Sequence, residues 1–441
     1  MRFGGFGLAL LLTTTTANAQ LLPAGLGQLP GRIAGGLPAL GGPLSTPPTP
    51  RAALDPLGIG DFASGIDLPS PRALLELRRA RLRATIHDNR TVLDADPEGN
   101  PIRRAELLAV DLSAADEAAA RAAGFAVARD SIVDGTGIRL TVLIPLRHQK
   151  PGRALKALQA AVSGVRADYN HVFEPAGQVL APVPGTAVAG IGTSSKLGNA
   201  AIGLIDGGVS AHPVLANARI EQRGFAGPVA ATGHGTAIAS LLVGQARGFS
   251  GAATGARLLV ADVYGGSCSN GSAEVIARAL GWLATRNVRI VTISLVGPPN
   301  LLVERAIAAL RYKGMLIVAA VGNDGPAAPP LYPASYDGVI AVTAVDAKGR
   351  TLVEAGHARH TDFAAPGADM AAALQTGGYA AVRGTSFAAP LVAARLAAYP
   401  DAPLAAVARE AEPGRRGDVG RGIVCTACRN DPRPLTHGNQ G

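Results

Sequence analysis

Gly384-Thr385-Ser386-Phe387-Ala388-Ala389-Pro390 leads into a run that is apolar almost without a break, Leu391-Val392-Ala393-Ala394-Arg395-Leu396, with Arg395 its one charge. A helix apolar on every side is a buried helix. Gly384 and Thr385 suit its start, with Thr385 the expected N-cap. Ser386 then falls in the first turn, where unpaired backbone N–H groups and the positive end of the helix dipole gather. A nucleophile gains from that position, because the oxyanion formed on attack at a carbonyl is stabilised there. Pro390 stands too deep for a helix start and removes the hydrogen bond to the Ser386 carbonyl; an interior proline costs ~3 kcal/mol. Such breaches of local rules concentrate at functional sites. Taken alone, the stretch also fits an ordinary buried helix with a bystander serine.

Upstream, from residue 199, apolar strands are expected at 201–206, 257–264, 289–295, 315–321 and 339–345. Helices are expected at 234–244, 272–286, 301–313 and 385–398. Near-continuous apolar strands alternating with helices imply a doubly wound, mostly parallel α/β sheet covered on both faces. Ligands of such sheets sit at the carboxyl ends of the strands. The polar residues expected there are few. Asp206 ends the first strand, followed by Gly207 and Gly208. His234 opens a helix between Gly233 and Gly235. Asn323 follows Val321-Gly322 at the end of a later strand, and Ser386 opens the last buried helix. One carboxylate, one imidazole and one hydroxyl meet the requirement for an orienter, a base and a nucleophile.

Four motifs in this order, the Asp206-Gly-Gly, Gly-His234-Gly-Thr, Ala-Val-Gly-Asn323-Asp-Gly and Gly-Thr-Ser386-Phe-Ala-Ala-Pro boxes, resemble the catalytic domain of the subtilisin-like serine proteases. The resemblance spans 199–400 and extends through Val419–Val424 to about 424. It implies a serine endopeptidase with Asp206, His234 and Ser386 as its triad and Asn323 as an oxyanion donor. It also implies that Ser294, Leu295 and Val296 form an edge that pairs with the substrate backbone, with Ala319, Ala320 and Val321 as the opposite wall. Val296 replaces a usual glycine and is expected to narrow the first specificity pocket. Gly207 replaces a hydroxyl residue, which removes one possible hydrogen bond to the carboxylate. These departures motivate an alternative, a catalytically idle scaffold of the same fold. An esterase would need G-x-S-x-G, and Ala388 stands where its second glycine belongs. Tyr332-Pro333 resembles a family loop with a cis bond. No cofactor or metal is expected: no acidic run resembles a calcium loop, and His357 and His360 lack further ligands. Asp324 reads as a turn former.

The preceding residues divide by composition. Residues 1–19 combine Arg2, a short apolar stretch and Ala17-Asn18-Ala19, the pattern of an export signal. Residues 20–104 are a Pro/Gly-rich linker and a short basic helix over 76–92, read as a solvated face. Residues 105–175 read as strand, helix, strand, strand, helix, strand, a small ferredoxin-like α+β module. It resembles the family's inhibitory propeptide, so the chain's own N-terminal domain is the expected intramolecular inhibitor. Residues 176–198 form an exposed segment where the chain is expected to be cut. Residues 425–441 are a tail. Among 441 residues three are cysteines; Cys425 and Cys428 are expected to pair, as export permits, leaving Cys268 a partly buried thiol. The net charge of +9 is scattered and aromatics are few, so nucleic-acid binding is not expected. No stretch is long enough to span a membrane. Protein or peptide substrates and a secreted or periplasmic location complete the expectation.

Overall fold

The computed structural model describes residues 69–182, 197–198, 200–414 and 419–432. The expected export signal, the linker up to residue 68 and most of the expected cut segment lie outside the described residues.

Ser70 caps helix α1 (Pro71–Asp88), accepting from the Ala73 N–H, with Pro71 preset for the first helical turn. The helix therefore begins earlier than the basic run suggests, and ends earlier. Next come β1 (Leu93–Ala95), β2 (Pro101–Val110), α2 (Ala114–Ala122), β3 (Phe125–Val133), β4 (Ile138–Pro145), α3 (Pro151–Ala161) and β5 (Ala167–His171). Four of the strands lie side by side in the order β5-β2-β4-β3, all antiparallel, which is the split ferredoxin-like arrangement. Ser113 and Asp116 form the capping box that starts α2. One face of this sheet packs on α2 and α3 around Leu107, Phe125, Leu143 and Leu158. The last strand stops at His171. The chain then leaves the sheet, and β6 (Glu174–Pro175) and β7 (Gln178–Pro182) pair elsewhere.

The remaining elements are β8 (Ala201–Asp206), β9 (Arg219–Gly224), α4 (Gly233–Val243), β10 (Gln245–Ala246), β11 (Phe249–Ser250), β12 (Arg257–Asp262) and α5 (Ala273–Thr285). They continue with β13 (Ile290–Ile293), β14 (Leu295–Val296), α6 (Leu301–Tyr312), β15 (Leu316–Ala320), β16 (Ile340–Val345) and β17 (Phe363–Pro366). The chain closes with β18 (Met370–Ala373), β19 (Tyr379–Arg383), α7 (Thr385–Ala397) and α8 (Pro403–Glu410). Seven strands form a wholly parallel sheet in the order β17-β16-β15-β13-β8-β12-β9. The order turns back on either side of β8, so the crevice expected of such sheets opens at its carboxyl end. Helices α5 and α6 cover one face, and they also bury the second face of the N-terminal sheet: Leu108, Val110 and Val142 share a core with Ile276, Leu280 and Val303. Backbone ends reinforce that contact. Asp168 accepts from the Leu301 N–H at 2.9 Å and Asn170 from the Glu274 N–H at 3.2 Å, each in the first turn of a helix.

On the other face α7 is buried all round, as its composition requires. Arg395 meets Glu410 of α8 at 2.7 Å, and the Tyr399 hydroxyl donates to the same carboxylate at 2.8 Å. Burial pushes the Glu410 carboxyl up; the hydrogen bonds from Arg395 and Tyr399 and the Arg395 charge outweigh it, leaving the group below its ordinary value. Glu410→Gln is therefore expected to cost about 1–2 kcal/mol at pH 7 in urea unfolding. A lowered folded value means the difference is complete above the ordinary Glu value of about 4.3 and fades as pH falls through the lower one.

Cys425 and Cys428 form a disulfide. The segment around it pairs with the sheet edge at Ala364 and Ile423, and buried Asn430 bonds both the N–H and the carbonyl of Ser250. Cys268 is exposed, not partly buried: it lies on a surface turn between β12 and α5. No helix among the described residues is long and apolar enough to cross a membrane.

Candidate active site

The side chains of Asp206, His234 and Ser386 meet at the carboxyl end of β8. Asp206 is the last residue of that strand and is fully buried. His234 sits in the first turn of α4, which Thr232 caps by accepting from the Gly235 N–H at 3.0 Å. Its Nδ1 lies 2.8 and 3.0 Å from the two Asp206 oxygens, and its Nε2 lies 3.0 Å from Ser386 Oγ. A carboxylate at Nδ1 holds the proton there, so Nε2 is free to accept the serine proton. The Phe387 ring packs 5.3 Å from the imidazole and shields it. Gly207 also has a reason: a Cβ there would lie 2.3 Å from Thr232 Oγ1. The space of a hydroxyl side chain is thus taken by the cap of α4, while the Gly207 N–H still donates to Asp206 at 2.7 Å.

The N-cap of α7 is Gly384, not Thr385. Gly384 has φ 137°, a conformation suited to glycine, and a Cβ there would lie 2.8 Å from the Asn323 amide nitrogen. Thr385 is left to do something else. Its N–H donates to Asn323 Oδ1 at 2.9 Å and its hydroxyl accepts from the Gly322 N–H at 3.1 Å. With its oxygen fixed, Asn323 must point its NH₂ toward Ser386. The carbonyl orphaned by Pro390 is also paired: Ser294 Oγ donates to the Ser386 carbonyl at 3.0 Å.

The crevice is filled by the chain itself. The Ala176 carbonyl accepts from the Ser386 N–H at 3.0 Å and from Asn323 Nδ2 at 2.5 Å. The Ala176 N–H donates to the Ser294 carbonyl at 3.0 Å, and β6 pairs antiparallel with β14. Next to it Gly177 lies so close that a Cβ would fall 1.9 Å from Ser386 Oγ. Beyond it, β7 pairs antiparallel with β19, Gln178 opposite Arg383 and Val179 opposite Val382. On the other side Phe173 is fully buried; its N–H donates to the Gly271 carbonyl, and its ring fills the space a Cβ on Gly297 would need. Ala176 shares its cluster with Val296, Ala320 and Leu331. Ala319 and Val321 belong to the opposite face, with α5 and α6. Strand alternation thus leaves only Ala320 of the expected wall on the face of Ala176.

Asp324 is more than a turn former. It is buried and receives Arg78 at 3.0 Å and Arg81 at 2.8 Å from α1. The sequence alone assigns Thr385 only a capping role and both arginines to a solvated face, and gives no signal for Phe173. The i, i+3 and i, i+4 spacing of Leu74, Leu77, Arg78, Arg81, Leu82 and Thr85 is the signal that α1 has a packed face. The Tyr332–Pro333 bond is cis.

The arrangement can carry an addition to a carbonyl: a hydroxyl with a base beside it, a base with an orienter, and two N–H donors converging on one oxygen. Comparison with known proteins agrees. The Subtilase family matches residues 198–403. The chain is similar to Subtilisin Savinase of Lederbergia lenta, 33% identical over 44% of this chain and 72% of that protein. It is likewise similar to the alkaline protease of Alkalihalobacillus alcalophilus, 33% identical over 44% of this chain and 51% of that protein, so it spans about half that relative. Among solved structures, fervidolysin from Fervidobacterium pennivorans superposes with a TM-score of 0.60 at 20% identity, covering 76% of this chain and 62% of that one. That likeness concerns the fold.

Proposed function

Because the chain belongs to the subtilase family and is a serine-type peptidase, we propose that it is an exported endopeptidase, made as a zymogen that cuts itself between Ala176 and Gly177. The observation that carries this reading is the Ala176 carbonyl held by two donors with Gly177 against Ser386. Ser386 attacks that carbonyl. His234 takes the hydroxyl proton and returns it to the leaving Gly177 amine; a water that His234 deprotonates then opens the resulting Ser386 ester, freeing the Ala176 carboxylate and restoring the serine hydroxyl. Asp206 keeps the imidazole in its tautomer and stabilises the imidazolium. Asn323 and the Ser386 N–H hold the oxyanion. The crevice binds chain on both sides of the bond, which favours internal cuts. Residues up to Ala176 act as leader and inhibitor. A parallel sheet with distant pairings folds slowly, which gives a covalently attached folding partner a purpose. Export rests on the pattern in residues 1–19 and accords with the Cys425–Cys428 disulfide.

The first test is N-terminal sequencing of the mature protein, expected to begin at Gly177; a mature start elsewhere, with the Ala176–Gly177 bond intact, overturns the assignment. A second concerns the pocket beside Val296. Ala176→Phe is expected to slow self-cutting about 10- to 100-fold, since the added ring overpacks a closed space. Adding Val296→Gly is expected to recover most of the rate, as read by the loss of precursor on gels. Equal rates for Ala176→Phe and wild type defeat the narrow-pocket account.

A further inference from the structure

Helix α1 lies outside the ferredoxin-like module, yet it reaches the crevice. Leu74 and Leu82 are buried, and Leu74 rests against Gly325, where a Cβ would lie 2.7 Å from its Cδ1. On the same face Arg78 and Arg81 project onto Asp324, the residue after Asn323. Arg81 also meets Glu174 at 3.2 Å, and Thr85 donates to the other oxygen of that carboxylate at 3.3 Å. Glu174 belongs to the strand that leads to Ala176. One guanidinium therefore joins two carboxylates, one on each side of the crevice contact, and both are largely buried, with 6% and 15% of their side chains exposed. The remaining arginines of the helix, Arg72, Arg79 and Arg83, face solvent.

We propose that α1 is a second inhibitory element, an electrostatic clamp that fastens the carboxyl end of the leader in the crevice after the bond at Ala176 is cut. The proposal rests on the reading of residues up to Ala176 as leader. Cutting releases the covalent hold on Gly177 and β7, and leaves the two-residue ladder of β6 on β14, the Ala176 hydrogen bonds to Ser294, Asn323 and Ser386, and the Phe173 contact to retain the end beside the clamp. Without Arg78 and Arg81, Asp324 and Glu174 are left as desolvated charges that lack their cations, so the end is expelled rather than merely loosened. Truncating one partner of a buried, hydrogen-bonded charge pair acts chiefly on the dissociation rate.

The test uses the full chain. Arg78→Gln/Arg81→Gln is expected to cut itself at the wild-type position but to lose its leader roughly 30-fold faster or more. The readouts are co-elution of the leader in gel filtration and the lag before a small chromogenic peptide is hydrolysed. Arg79→Gln, on the solvent face, is expected to behave as wild type. A double variant whose leader departs at the wild-type rate overturns the clamp. Should that variant fail to fold, Glu174→Gln removes the Arg81 ion pair from the other side, and it too must shorten the lag; an unchanged lag overturns the proposal. An uncut Ala176–Gly177 bond in the wild type defeats the leader reading itself and the clamp with it, an outcome distinct from normal cutting with unchanged release.

Discussion

Ser386→Ala is expected to accumulate as an uncut chain and to lose about 10⁶-fold in kcat on added peptides, a magnitude carried over from subtilisin. The alanine removes the hydroxyl that faces both His234 Nε2 and Gly177, and among the described residues no other side chain is hydrogen-bonded to Nε2. Folding should survive. The deleted oxygen contributes one hydrogen bond, about 1 kcal/mol, and the main-chain bonds of Ser386 to Ala176 and Ser294 remain. His234→Ala should match it, and the double variant should be no worse than either, because residues that act as a unit are far from additive. Mass spectrometry of the purified chains checks the cut, and hydrolysis of an added peptide by residues 177–441, produced with the leader supplied as a separate chain so that no variant depends on its own cut, checks the rate. If Ser386→Ala arrives cut like the wild type, another protease makes the cut, and self-processing is wrong even though the loss of peptide hydrolysis stands.

Asn323→Ala should reduce kcat by about 10²–10³ with little change in KM, again the scale known from subtilisin. The structure adds a sharper form of this prediction. Thr385 donates to Oδ1 of Asn323, so the isosteric Asn323→Asp keeps that bond and the shape. What it loses is the donor facing the Ala176 carbonyl, which it replaces with a negative oxygen. Its loss in kcat is expected to equal or exceed that of Asn323→Ala. An Asp variant that stays near wild-type activity would show that the backbone N–H of Ser386 alone carries the developing charge. Steady-state kinetics on one peptide at fixed pH decide between these outcomes.

The fold was readable where burial wrote a plain pattern. β8, β12, β13, β15 and β16 are apolar through their middles, broken only by Thr292 and Thr343 and by charges at the ends of β8 and β12, because helices cover both faces, and the four motif residues stand at turns that glycine marks. β9 and β17 were not readable for physical reasons. β9 is an outer strand, half exposed, so Arg219-Ile220-Glu221-Gln222-Arg223 carries no apolar run. β17 holds four residues, two of them alanine, too short and too featureless to stand out. The hairpin β18–β19 is alanine-rich for the same reason. A helix start leaves a mark in the sequence where the cap is a side chain, as Ser113 is with Asp116 three residues on, and leaves none at Gly384, whose role depends on how closely Asn323 and Gly177 approach. That Ala176 is the residue seated against Ser294, Asn323 and Ser386 was not readable, because strand addition uses backbone groups, which every residue has. The ion pairs of Arg78 and Arg81 cross more than two hundred positions to Asp324, and no local periodicity records such a partner.

Ser294 touches two things at once. Its carbonyl receives the Ala176 N–H, and its hydroxyl reaches the carbonyl that Pro390 leaves bare at the attacking residue. The proline thus ties the rail that sets peptide alignment to the base of the nucleophile, through one short side chain. Edge strand and nucleophile-bearing helix are thereby anchored to one another at a single residue.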